Sequence, residues 1–174
     1  MTRPPQAVVI GDSAAPAHVL HLAEQLGACL ARLGFTVITG GRGGVMAAAS
    51  RGAAQAGGLT VGIVPSTAHS EGNRWCRVVL PSGLGHARNA LTALAGDVVI
   101  AVGGAAGTLS ELAFASIHGR PIFVLAGGGG WSEAFADRRF GGRTRPKATL
   151  YADLPALEAA LRRLRRRRAR AAGT

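Results

Sequence analysis

The sequence predicts an α/β fold in which a single doubly wound parallel sheet carries helices on both faces. Two observations lead to this fold class. Short apolar runs rich in β-branched residues alternate with longer segments that show helical spacing of apolar residues. The short runs are apolar throughout, as are strands of a parallel sheet covered on both sides. Right-handed crossovers between parallel strands then place helices on both faces.

The elements follow in order along the chain. Residues 18–33 carry Val19, Leu22, Leu26 and Leu30 on one helical face, and Gly34 follows them as a stop signal. The further predicted helices are 45–56, 88–94, 108–118 and 154–164. The predicted strands are 7–10, 36–39, 60–64, 77–80, 97–102 and 121–125. No linker or internal repeat interrupts the series, so we expect one domain over 1–164 and a flexible basic tail over 165–174.

Composition excludes several classes of protein. Hydrophobic residues make up 48% of the 174 residues, which is enough for a core and argues against disorder. No apolar run approaches the ~18–20 residues of a membrane span, and the N-terminus lacks a signal-peptide pattern, so we expect a cytoplasmic protein without membrane contact. Cys29 and Cys76 form no CxxC motif, and no metal site is predicted.

The net charge of +11 is concentrated at one end of the chain. Seven arginines lie between positions 162 and 170, so the remainder carries +4, which suits a small anionic ligand. Nucleic-acid binding by the tail is disfavoured, because aromatic residues are only 5% and no groove-reading motif is present. We interpret the arginines as a solvated helix end that complements the helix dipole.

Two glycine-rich turns, 40–44 and 103–107, each follow a predicted strand and precede a helix. Ligands of doubly wound sheets bind at that edge, and helix N-termini there favour phosphate. Thr108 and Ser13 would add hydroxyl groups, although either side chain could instead cap a helix. Neither turn is a P-loop or a dinucleotide fingerprint, so tight turns without ligand stay an alternative. The glycines expected to bind ligand are Gly41, Gly43, Gly44, Gly103, Gly104 and Gly107.

Three segments carry a family resemblance. VVIAVGGAAGTLSELAFA resembles the PGGxGTxxE motif of the LOG-type (Lonely Guy, formerly "lysine decarboxylase") Rossmann-like superfamily. GGRGGVMAAASRGAAQAGGLTVGIVP resembles its first glycine loop, and GHARNALTALAGDVVIAVGG resembles the segment with its catalytic arginine. The motifs at 61–65, 87–89 and 127–131 are more similar to the short branch that includes molybdenum-cofactor carrier proteins. The sequence departs from the LOG enzymes at Ala105, which replaces a loop glycine, and at Asn89, which replaces a lysine.

The resemblance implies that Arg88 and Glu111 form a catalytic pair. A carboxylate can stabilise an oxocarbenium-like sugar and orient water, while an arginine anchors phosphate or keeps that carboxylate ionised. Glu111 is expected on the first turn of its helix, where complementing the helix dipole is the alternative role.

Two functions follow as hypotheses. The first is a phosphoribohydrolase that cleaves the N-glycosidic bond of a nucleoside 5′-monophosphate and requires no cofactor. The alternative is a non-catalytic carrier that binds the molybdenum cofactor. A homo-oligomer, dimer or tetramer, is also expected, because the apolar run at 112–115 exceeds what one face of a surface helix needs.

Overall fold

A computed structural model describes residues 3–137 and 148–171. Its strands are β1 (Gln6–Gly11), β2 (Thr36–Thr39), β3 (Thr60–Val64), β4 (Val78–Pro81), β5 (Val98–Val102), β6 (Ile122–Leu125) and β7 (Ala148–Tyr151). Its α-helices are α1 (Ala17–Arg32), α2 (Val45–Gln55), α3 (Arg88–Leu94), α4 (Ala106–Ile117), α5 (Gly130–Asp137) and α6 (Leu154–Ala171). Two short 3-10 helices, His69–Glu71 and Gly85–Ala87, precede β4 and α3.

The strands form one parallel sheet in the order β4-β3-β2-β1-β5-β6-β7. The chain builds outward from β1 to β4 and then returns to the other side of β1 with β5. The order therefore reverses between β1 and β5, and the loops that follow these two strands diverge to leave a crevice. The predicted doubly wound α/β fold is confirmed.

The core lies on both faces of the central strands. Residues 7–10 and 98–102 have exposed fractions of 1% or less. Ala7 and Val9 face the cluster that α1, α2 and α6 cover, whereas Val8 and Ile10 face the cluster beneath α3, α4 and α5. Burial on both faces explains why these strands are continuous apolar runs rather than alternating ones.

Several elements differ from the sequence prediction. Strand β7 and helix α5 were not predicted, because β7 is a four-residue edge strand and α5 begins within a run of glycines. Helix α4 begins at Ala106 rather than at 108. No helix within the described ranges is both long and apolar enough to cross a membrane.

Helix α6 continues to Ala171, seven residues past the predicted end at 164. Arginine is a strong helix former, and two of the added arginines contact the rest of the protein. The Arg165 guanidinium donates a hydrogen bond to the Leu33 carbonyl at 2.9 Å, and Arg168 forms an ion pair with Asp97. Residues 165–171 therefore belong to α6, in the part of the chain that the sequence analysis assigned to a tail.

Candidate functional site

A pocket of about 210 Å³ opens at the carboxyl end of the sheet. Its wall comes from the end of β1, the loop that follows β2, the first turns of α2 and α3 with the residues just before α3, and the first two turns of α4. This is the switch point where the strand order reverses, so fold topology alone places the crevice here. Five of the predicted site residues line it: Ser13, Arg88, Gly107, Thr108 and Glu111.

Arg88 lines the pocket as the first residue of α3. Only 8% of the residue is exposed, and its Nη1 donates to Thr92 Oγ1 at 3.2 Å and to Glu111 Oε1 at 3.3 Å. Its Nε is buried and has no hydrogen-bond partner within the described ranges. Desolvation lowers the pKa of Arg88 despite the neighbouring Glu111. A buried cation with an unused donor is an incomplete arrangement that an anionic group would complete.

Glu111 is the acidic partner of Arg88 in the pocket. It is 6% exposed and lies on the second turn of α4, because this helix begins two residues earlier than predicted. The first-turn position that we expected is therefore wrong, and the helix dipole does not account for this acid. Burial raises the pKa of Glu111 to about 7, although the attraction of Arg88 opposes the shift.

Gly40 is a pocket residue that the sequence prediction missed. A Cβ at this position would lie 2.7 Å from both Nη atoms of Arg88 and 2.6 Å from Met46 Sδ. Glycine thus leaves the space in which the guanidinium sits. One feature of the sequence could have identified Gly40: it directly follows β2, and residues at the carboxyl ends of such strands border the crevice.

The other glycines of the first loop do not line the pocket, and two of them pack closely against neighbouring segments. Gly41 has φ +73° and lies against Gly62 of β3, while Gly44 has φ +61° and lies against Asp12 and Ser13. Gly43 is exposed, with only Ser13 O near its Cβ position. Their role in this structure is to let the loop turn between β2 and α2.

The second loop shows a similar division. Gly103 (φ +64°) lies against Gly128, and Gly104 (φ +118°) lies against the Thr108 side chain. The Gly104 N–H donates to Asp12 Oδ2 at 3.1 Å, so a phosphate at this predicted contact would have to replace a carboxylate. The Cβ position of Gly107, in contrast, meets open space.

Asn73 and Asn89 hold the two loops in place. The Asn73 Nδ2 donates to the carbonyls of Gly41 (3.1 Å) and Arg42 (3.0 Å), and Arg42 lines the pocket. The Asn89 Nδ2 donates to Ser110 Oγ at 2.7 Å. Asn89 is therefore tied to α4, at the position where the resemblance expects a lysine.

The charged groups in the pocket are Arg42, Arg88, Asp12 and Glu111. Because burial raises the pKa of Glu111, this carboxyl carries less negative charge near neutral pH than an exposed glutamate would. No cluster of three metal-ligating His, Cys, Asp or Glu side chains occurs in the part of the chain that the structure describes. The arrangement is suited to holding an anionic group through arginine and helix N–H donors.

Comparisons with known proteins agree with this fold. The model of the SLOG cluster4 family matches residues 5–153. The molybdenum cofactor binding protein from the phototrophic bacterium Rippkaea orientalis is 42% identical with a TM-score of 0.70, over 72% of this chain and 78% of that one. The molybdenum cofactor (Moco) carrier protein from Chlamydomonas reinhardtii is 30% identical with a TM-score of 0.81, over 95% of this chain and 99% of that one.

A protein from Archaeoglobus fulgidus is also similar in sequence. It is an uncharacterized protein, 36% identical over 120 residues, which span 69% of this chain and 79% of that protein. The LOG-like superfamily that the sequence resembles is confirmed, as is its short branch with the molybdenum-cofactor carrier proteins.

Proposed function

We propose that this chain, which belongs to the SLOG cluster4 family, is a non-catalytic binding protein for a phosphate-bearing cofactor of the molybdenum-cofactor type. Relatives of 42% and 30% identity are a molybdenum cofactor binding protein and a Moco carrier protein. The observation that carries the proposal is the buried Arg88 guanidinium with its unpartnered Nε in the wall of the pocket.

The pocket fits the phosphate end of such a ligand. Its volume of about 210 Å³ is below the roughly 300–1,000 Å³ of sites that enclose a whole drug-sized molecule. The first-turn N–H groups of α4 at Gly107 and Thr108 have no intrahelical acceptor, and they border the same space as Arg88. The phosphate would bind these donors, and the remainder of the ligand would extend through the open mouth.

Equilibrium binding tests this proposal. Purified protein is titrated with molybdenum cofactor released from a molybdoenzyme and, separately, with AMP. We expect tight cofactor binding that Arg88→Ala weakens at least tenfold, since a charge-assisted contact to phosphate is lost. Arg77→Ala is the matched control, because Arg77 is exposed and does not line the pocket. Equal affinities of the Arg88→Ala variant and the wild type would contradict the proposed site.

Hydrolysis of a nucleoside 5′-monophosphate is the second candidate function. It is favoured by Glu111, whose pKa of about 7 lies near the optimum for a general acid or base. In that reaction water would add to the anomeric carbon while the N-glycosidic bond breaks and the base leaves with a proton. No further cofactor takes part in the proposed step.

Release of free base from a panel of nucleoside monophosphates separates the two functions. Turnover that Glu111→Gln abolishes, with AMP affinity retained, would establish the hydrolase and remove the carrier as the main function. The carrier proposal expects no base release in either protein.

We also propose that the protein is a cytoplasmic homo-oligomer. Leu112 and Ala115 of the apolar run 112–115 are buried in the chain's own core, so this run points to an interface only in part. Leu91 on α3 and Ile117 on α4 are instead 47% and 74% exposed on two adjacent helices. A sedimentation mass above the 17.6 kDa of one chain is expected at micromolar concentration.

A further inference from the structure

The arginines of α6 fall into two groups. Three of the seven between positions 162 and 170 bind the protein itself: Arg162 pairs with Glu158, Arg165 with the Leu33 carbonyl, and Arg168 with Asp97. The other four make no hydrogen bond or ion pair with the described residues. We call these four the arginine stripe: Arg163, Arg166, Arg167 and Arg170.

Helix geometry places the stripe on the outer side of α6. At 100° per residue, positions 163, 166 and 170 lie opposite the inward-facing Leu157 and Leu161. The four positions have the spacing i, i+3, i+4 and i+7, so they form one continuous row about 10 Å long. The contacts of Arg165 and Arg168 hold this part of the helix against the body of the protein.

The helix dipole does not account for the whole stripe. Its effect is confined to the last turn, so it applies to Arg170 but not to Arg163, which lies two turns earlier. Like charges three and four residues apart destabilise a helix by roughly 0.2–0.5 kcal/mol per pair. A row of unpaired arginines is therefore unfavourable by itself and becomes favourable when an extended anion lies along it.

The surroundings of the stripe identify the kind of anion. The large exposed hydrophobic side chains of the described residues lie on other elements and not on α6. Insertion into a bilayer needs an exposed apolar face, and stable protein interfaces need an apolar core. Arginine alone, in a row, matches a chain of phosphates, which its guanidinium can bind in bidentate fashion.

We infer that the arginine stripe of α6 binds the phosphate backbone of nucleic acid, without sequence preference and separately from the pocket. This reverses the expectation drawn from the sequence, which treated these arginines as a solvated helix end. The stripe holds no aromatic side chain for stacking on bases, so phosphate contacts supply the affinity.

Fluorescence anisotropy with a labelled 20-base-pair DNA duplex tests this inference in the full chain. Four phosphate contacts predict that the logarithm of the binding constant falls by about 3–4 for each tenfold rise in salt. The double variant Arg163→Gln/Arg166→Gln should reduce that slope by about 2 and weaken binding at least tenfold at low salt. Cofactor or AMP binding to the pocket should not change in this variant.

The matched control is Arg74→Gln/Arg77→Gln, which removes the same charge from exposed residues elsewhere. The inference is overturned if the control weakens DNA binding as much as the stripe variant, because net charge alone would then explain the effect. It is also overturned if the wild type binds no DNA at ~50 mM salt, or if vesicles with anionic lipid bind the stripe more tightly than DNA does.

Discussion

The two glycine-rich loops look alike in the sequence, but they line the pocket with different residues. The first loop contributes its first glycine, and the second loop contributes its last. In the first loop the leading residue, Gly40, adjoins the Arg88 guanidinium, whereas Gly41 and Gly44 pack against neighbouring segments and Gly43 is exposed. In the second loop Gly103 and Gly104 pack against Gly128 and Thr108, and the last residue, Gly107, lines the pocket and has open space at its Cβ position. Each loop therefore contributes one glycine to the pocket wall.

The difference follows from which strand lies next to each loop. The loop after β2 adjoins the ends of β1 and β3, so Gly41 and Gly44 are compressed against Gly62 and Asp12. The loop after β5 adjoins the loop after β6, so Gly103 is compressed against Gly128. The close packing of adjacent segments therefore accounts for Gly41, Gly44 and Gly103 without a ligand.

The largest effect is expected at Gly44. A Cβ there would lie 2.1 Å from the Asp12 carbonyl oxygen, a backbone atom that cannot rotate away, at a φ of +61° that side chains rarely adopt. Gly44→Ala should lower the free energy of unfolding by more than ~3 kcal/mol or prevent folding. Chemical denaturation of the variant and the wild type measures this difference in the free energy of unfolding.

Gly43→Ala is the control in the same loop. Its nearest neighbour would be 3.4 Å away, and its φ is not in the positive range. We expect the free energy of unfolding to change by no more than about 0.5 kcal/mol. Equal losses of unfolding free energy in Gly44→Ala and Gly43→Ala would show that close packing does not distinguish these two glycines.

The pH dependence of stability tests the Arg88–Glu111 pair between the loops. Because burial raises the pKa of Glu111 from 4.5 to about 7, the folded state binds the proton more tightly than the unfolded state. The contribution of Glu111 to the free energy of unfolding is fully present below pH 4.5. It is lost as the pH rises through about 7, by an amount on the order of 3 kcal/mol.

Glu111→Gln should remove this fall from a denaturation series between pH 4.5 and 8. Glu71→Gln, at an exposed position, should leave the profile of the wild type unchanged. The prediction concerns the slope, since the variant also leaves Arg88 without its counter-ion at every pH. A Glu111→Gln profile that keeps the wild-type slope would contradict the raised pKa.

A smaller effect on folding, but a clear one on binding, is expected at Gly40. The atoms that an alanine Cβ would meet are the ends of the Arg88 and Met46 side chains, which can move. Gly40→Ala should therefore fold and displace the guanidinium, with ligand affinity reduced about tenfold.

A double-mutant cycle with Arg88→Ala tests whether Gly40 acts through the guanidinium. Gly40→Ala should cost almost nothing in affinity when Arg88 is already alanine. Additive losses would show that Gly40 affects binding by another route.

The smallest effect on the fold is expected at Gly107. Its Cβ position is open, so Gly107→Ala should keep the structure and gain up to ~1 kcal/mol from helix propensity. Ligand affinity should fall several-fold, because the methyl group occupies space next to the helix N-terminus. Calorimetry on the variant gives both quantities, and unchanged affinity would show that the second loop does not contact the ligand.

The sequence by itself determined six of the seven strands and five of the six α-helices in the described ranges, and the edge of the sheet at which the glycine-rich turns lie. Continuous apolar runs such as 7–10 and 98–102 can only be buried on both faces, and this requirement depends on the local pattern. The family resemblance, which depends on residue types and their spacing, also indicated the motif around Glu111 and the position of Arg88.

Only the tertiary structure decided how each residue is used. Whether Gly40 or Gly41 faces the pocket depends on which side chain arrives from α3, some 50 residues later in the chain. The end of α6 depends on Leu33 and Asp97, which hold Arg165 and Arg168 from distant segments. These outcomes arise from contacts between parts of the chain that are remote in sequence, and local periodicity carries no information about such contacts.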